Sequence, residues 1–211
     1  MKKAAWALVA IILLMGSVVY YRHTHRTPTD PTISRYSNSE LGISFSYPNI
    51  LAASTTDGTV TVHHDIAYEN TGDCDMKGID QTFPRLTDFE MTLRVFDTGL
   101  VKTMKTQSPY IPEENFINGE VVPSPGFIDP YTAGTFKGYA IYEGAEGCGQ
   151  TAYYFPLGSS RTLLVTKASI QQLSTAASPE TRTAILAVPG VISPEESDKI
   201  FSSIMKSIVV Q

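Results

Sequence analysis

Thr59-Val-Thr-Val-His-His-Asp-Ile66 sets Val60, Val62, His64 and Ile66 at every second position, with Thr59, Thr61, His63 and Asp65 between them. Successive side chains of a strand point to opposite faces, so this stretch is a strand with one mainly apolar face. The same period recurs in Ile43, Phe45 and Tyr47 around Ser44 and Ser46, closed by Pro48-Asn49. It recurs again in Met91, Leu93 and Val95 around Thr92 and Arg94. Further runs at Phe136–Tyr142, Thr151–Phe155 and Thr162–Thr166 bring the expectation to about six strands. Pro156 to Arg161 reads as a hairpin loop slightly longer than the tightest types. Two-residue periodicity predicts an antiparallel sheet with one face buried.

Helical signals lie elsewhere. Ser193-Pro-Glu-Glu196 is a capping box with proline at the first helical position. Ile200, Phe201, Ile204 and Met205 follow at three- and four-residue spacing, one apolar helix face. Ile208 to Val210 is expected as a short final strand. Shorter helices are expected at Pro179–Ala187, capped by Ser178, and at Gly99–Lys105. The fold class is therefore α+β, an antiparallel sheet of about six strands flanked by helices.

Ahead of this domain, Lys2-Lys3 precede 18 uncharged, mostly apolar residues from Ala4 to Tyr21, and Arg22 ends the run. As a helix it would cover roughly 27 Å, close to the ~30 Å hydrocarbon core. Trp6 and Tyr20-Tyr21 sit where interfacial aromatics belong. A cleaved signal peptide calls for a shorter apolar stretch, and Val18 to Tyr21 extend this one. A lipoprotein signal calls for cysteine where Ser17 stands. The expected organisation is a transmembrane signal anchor over residues 1–22, a linker rich in Thr and Pro over 23–34, and an α+β domain over 35–211 outside the cytoplasm. The lipid bilayer is thus the first expected partner.

The 211 residues carry 16 Lys and Arg against 21 Asp and Glu, a net charge of −5, which argues against nucleic acid as a partner. Two cysteines are too few for a four-thiolate zinc site. In an oxidising compartment Cys74 and Cys148 are expected to pair as a disulfide. Each lies in an acidic turn containing glycine, Gly72-Asp-Cys-Asp75 and Glu146-Gly-Cys-Gly149.

Other motifs fail on chemistry. Asp73-x-Asp75-x-Lys77-Gly78 starts like a calcium loop, but Lys77 replaces a ligand and Pro84 stands where a bidentate Glu is needed. His63 and His64 are neighbours on a strand, so they face opposite ways and cannot chelate one ion; His64 reads as a satisfied core histidine. Ser203-Ile-Met-Lys206 fits S-x-x-K without the companion motifs. Phosphate loops, G-x-S-x-G elbows and H-E-x-x-H helices are absent from the sequence, and neither catalytic nor metal-ligating residues nor a cofactor are assigned. Tyr139, Tyr142, Tyr153 and Tyr154 concentrate in two adjacent strands, where one face is core. Cover for the other is expected from a helix or from the long Ser108–Thr135 connection, and an exposed binding surface is the alternative.

Tyr36-Ser-Asn-Ser-Glu-Leu-Gly-Ile-Ser-Phe-Ser-Tyr-Pro48 resembles the opening strand of PsbP-like domains, and Pro189-Gly-Val-Ile-Ser-Pro-Glu-Glu-Ser-Asp-Lys-Ile-Phe-Ser-Ser-Ile204 resembles their closing helix. The middle of the chain, with Gly147-Cys-Gly149 and Tyr153-Tyr-Phe-Pro156, is similar to membrane-anchored bacterial proteins of this style. The resemblance implies a sheet flanked by helices and a role in binding or assembly, with no common catalytic site. The expected function is a non-catalytic binding or scaffolding module at the cell envelope, with an envelope protein as second partner. The alternatives are an envelope hydrolase whose first suspects are His64, Asp65 and Asp88, and a small-ligand or metal-loading module.

Overall fold

The computed structural model describes residues 33–72 and 82–211. The expected anchor and most of the linker lie outside those residues, as do Cys74 and the calcium-like motif from Asp73 to Asp80. Among the described residues no helix is long and apolar enough to cross a membrane.

Two strands, β1 (Ile33–Asn38) and β2 (Ile43–Pro48), open the domain as an antiparallel hairpin. Its turn is held by the Asn38 carboxamide, which accepts from the Glu40 and Leu41 amides, each at 3.0 Å. β1 begins at Ile33, so the last two residues assigned to the linker belong to the sheet. Next come β3 (Ala52–Thr56), β4 (Thr59–Ile66) and β5 (Leu86–Phe96), then helix α1 (Leu100–Gln107). A minor hairpin pairs β6 (Phe116–Ile117) with β7 (Glu120–Val121). β8 (Asp129–Ala133), β9 (Phe136–Glu143), β10 (Gln150–Leu157) and β11 (Arg161–Ala168) follow. The chain closes with α2 (Pro179–Leu186), α3 (Pro194–Ser207) and β12 (Val209–Val210).

The expected count of about six strands is corrected. The main sheet has seven, in the order β3-β4-β5-β11-β10-β9-β8, and β1-β2-β12 form a second sheet. All six expected runs are strands, but the Ile43 run belongs to the smaller sheet. β3 and β8 complete the larger one. β3 has no apolar alternation; it forms because Asp57 and Gly58, at φ 49° and 73°, make the two-residue turn that folds it onto β4.

One face of the main sheet presents Val60, Val62, Met91, Leu93, Leu163, Val165 and Phe155 to α3 and the smaller sheet. α3 covers it with Ile200, Phe201, Ile204 and Met205, the face its spacing predicts. Ser193 caps the helix, accepting from the Glu196 amide at 3.2 Å, as Ser178 caps α2 through Thr181 at 3.1 Å. On the opposite face, Ile141, Ala152, Tyr154 and Leu164 are covered by Met104 of α1 and by Ile111, Val121 and Ile128. One buried face was expected, yet both are buried across β9–β11. The Ser108–Thr135 connection supplies part of the second layer, so Tyr154 is core and Tyr139 packs against it.

Candidate functional site

The cover on that second face stops short. Where β4 and β9 end and β5 and β10 begin, register brings Thr61 and His63 of β4, Glu90 and Thr92 of β5, Thr166 of β11, and Gln150 and Glu143 onto the same side. A cleft of about 550 Å³ opens there, with Arg85, Glu90, Glu143, Gln150 and Ser169 in its lining. Phe83, Leu86 and Ile170 line it beside these polar groups.

Glu143 anchors the cleft. One carboxylate oxygen accepts from the Ser108 hydroxyl and, at 2.7 Å, from Tyr110. The other accepts from the Gln150 amide at 2.8 Å. Ser108 is fully buried and its hydroxyl lies 2.8 Å from that of Tyr154, itself 1% exposed. Burial is the main cause that pushes the Tyr154 phenol up to about 12; the Ser108 hydrogen bond opposes it and the Glu143 charge adds to it. Tyr110 is raised further, again chiefly by burial. Both phenols are thus neutral donors at physiological pH. Glu143 is held by neutral donors, and among the described residues no cation pairs with it. Glu90, in the same lining, forms no ion pair among the described residues.

His64 and Asp88 meet on the other face. Along β5, pairing with β4 skips from Phe89 to Thr87, which makes Asp88 the extra residue of a β-bulge. The bulge turns Asp88 inward beside Phe89, so two consecutive residues are buried where alternation predicts one. Asp88 Oδ1 lies 2.6 Å from His64 Nδ1, and Asp88 Oδ2 accepts the Ile192 amide at 2.7 Å. A fully buried carboxylate is tolerable only with such partners. The pair therefore joins β4 and β5 to the segment that leads into α3, and His64 is the satisfied histidine its place on the Val60 face implies.

The other suspect separates. Asp65 accepts from Thr87 Oγ1 at 2.7 Å and approaches His63 Nε2 at 3.9 Å. Of the hydrolase suspects, the fold thus brings together His64 and Asp88 and leaves Asp65 apart. Among the described residues no serine, threonine or cysteine side chain bonds to His64. Asp88 also lines a hollow of about 290 Å³ against the start of α3, with Tyr153, Lys167 and Ser197. Lys167 pairs there with Asp198.

Sequence reasoning did not single out Glu143, Tyr110 or Ser108. Glu143 ends a strand run at Phe136–Tyr142, and a polar residue at the end of an apolar strand carries no motif. The turn that follows explains the glycines of Gly144-Ala-Glu-Gly-Cys-Gly149. A Cβ on Gly144 would sit 2.0 Å from the Cys148 carbonyl oxygen, and one on Gly149 would sit 1.9 Å from that of Glu143. Cys148 thus lies in a close-packed turn. Its expected partner, Cys74, is outside the described residues, so the pairing has no structural description.

No family model matches the chain, and no curated protein matches it either. Among solved structures it is similar to the solution structure of cyanobacterial PsbP (CyanoP) from Synechocystis sp. PCC 6803, at 11% identity over 88% of this chain and 96% of that chain, with a TM-score of 0.38. PsbP-like domains are also the group that Tyr36–Pro48 and Pro189–Ile204 resemble in sequence.

Proposed function

We propose that the chain is a binding module tethered to the cell membrane by residues 1–22, which holds an envelope protein partner in the Glu143 cleft. The observation that carries the reading is the way Glu143 is held. Three neutral donors fix a carboxylate in the lining of an open 550 Å³ cleft, with Glu90 three strands away across it. A fixed carboxylate, with Glu90 and Arg85 also in the lining, suits a polypeptide that presents a lysine, an arginine or amide groups. The 18-residue apolar run and the Thr- and Pro-rich stretch after it support the tether.

Site-specific photocrosslinking tests this in the full-length chain within its own membranes. A crosslinker at Glu90 is expected to capture a discrete adduct, and Glu143→Gln is expected to reduce it several-fold. A crosslinker at Lys137, on β9 away from the cleft, is the control. Equal labelling from both positions, or no effect of Glu143→Gln, rules the cleft out as the binding surface.

The His64–Asp88 pair favours a second reading, an envelope hydrolase acting in the 290 Å³ hollow. That reading requires His64→Ala to abolish turnover of a screened ester or peptide substrate while the fold persists.

A further inference from the structure

We propose that two copies of the chain join antiparallel through the outer edge of β3, making one continuous sheet across a two-fold axis at Ser54. β3 ends the seven-stranded sheet, and among the described residues no strand pairs with its outer side. Its loop to β4 is the two-residue turn Asp57-Gly58, so Thr56 and Thr59 form a hydrogen-bonded pair. Bonding alternates from there along an antiparallel ladder. Ala52, Ser54 and Thr56 spend their amides and carbonyls on β4, and those of Ala53 and Thr55 point outward.

Native sheets protect such an edge with charge, proline, a bulge or a covering element. The other end of this sheet does so: β8 carries Asp129 and Pro130, and α3 packs against it. β3 reads Ala-Ala-Ser-Thr-Thr, uncharged, free of proline and regular in register, with four of its five residues exposed. The strand is also its own complement. Set antiparallel about Ser54, Ala53 faces Thr55 of the second copy and Thr55 faces its Ala53, and the four outward groups of each strand bond across the dyad. Ala52 faces Thr56, and no like charges oppose.

The polypeptide of the same chain outside the described residues is a poor occupant. Residues 22–32 hold prolines at 28 and 31, each lacking a donor, and residues 73–81 hold Asp73, Asp75 and Asp80. The 11 residues from Arg22 to Thr32 reach at most about 40 Å, so every copy carries its domain within that distance of the bilayer, which raises the effective concentration of one edge for another. This last point rests on the tethered reading; the edge argument does not.

Cysteine crosslinking of the full-length chain in isolated membranes, driven by copper-phenanthroline, tests the pairing. Opposed residues of a non-hydrogen-bonded pair have Cα atoms about 4.5 Å apart, within disulfide reach. Ser54→Cys is expected to give a reducible dimer well above wild type, which controls for Cys74 and Cys148. Thr56→Cys, whose two copies would lie about 13 Å apart, is expected to stay at the wild-type level. Ala53→Pro, which removes an outward donor and spares the β4 ladder, is expected to abolish the Ser54→Cys dimer with the circular dichroism spectrum intact. A mixture of Ser54→Lys and Ser54→Glu chains is expected to associate where neither does alone. Equal crosslinking of Ser54→Cys and Thr56→Cys, or a Ser54→Cys dimer unchanged by Ala53→Pro, overturns the proposal. A chain recovered in the soluble fraction that still crosslinks at Ser54 overturns the tether alone.

Discussion

Replacing Asp88 with alanine should be among the most damaging single changes in the domain. The carboxylate is 1% exposed and holds His64 at 2.6 Å and the Ile192 amide at 2.7 Å. Its removal leaves the buried Ile192 amide and the part-buried His64 ring nitrogen without their partner, each costing about 1–3 kcal/mol. The total is about 2–6 kcal/mol, against a stability of about 5–15 kcal/mol for a typical domain. The loss has a location as well as a size. Ile192 lies one residue before the Ser193 cap, so the start of α3 should loosen first. Urea denaturation monitored by circular dichroism gives the magnitude, and amide hydrogen exchange at Ile192 and the first turn of α3 gives the place. Asp88→Asn, which keeps one acceptor, should cost less than Asp88→Ala. A double-mutant cycle with His64→Ala should return a coupling of about 0.5–3 kcal/mol. A loss below 1 kcal/mol for Asp88→Ala, or unchanged exchange at Ile192, would refute the view that the bulge locks α3 to the sheet.

Three further outcomes follow from the same geometry. Tyr154 titrates near 12 in the fold against 10 in the unfolded chain, so its share of stability is fully present below pH 10 and is lost as pH rises through about 12. Two units at about 1.4 kcal/mol each give ~3 kcal/mol, and Tyr154→Phe should flatten the fall of Tm between pH 10 and 12. Ser193→Ala removes the cap of α3 and should cost about 1 kcal/mol by urea denaturation, more than Ser203→Ala within the same helix. Cys74 and Cys148 should resist alkylation in the exported chain until reductant is added, by mass spectrometry; two thiols reactive without reductant would sink the pairing.

Legibility in the sequence followed the range of the signal. The α3 helix was readable to its first residue because Ser193, Pro194 and Glu196 are local chemistry and Ile200–Met205 a local period. Val60 and Val62 were readable as core for the same reason. β3 was not, since Ala52–Thr56 is a strand only by virtue of its neighbour; the Asp57-Gly58 pair was the available clue, as a two-residue hairpin signal. The Asp88 bulge left no local trace, because what moves Asp88 inward is a slip in pairing with a strand more than twenty residues away. Glu143 is held by Ser108, Tyr110 and Gln150, and two of these lie over thirty residues distant. Sites assembled from such separations carry no spacing that a motif can record.

The tether decides most. Alkaline carbonate extraction of native membranes, followed by protease treatment of intact cells or spheroplasts, measures it directly. The full-length chain is expected to stay in the membrane pellet, with residues 33–211 digested from outside. Release of the whole chain by carbonate, or protection of the domain until the membrane is opened, would contradict the tethered reading.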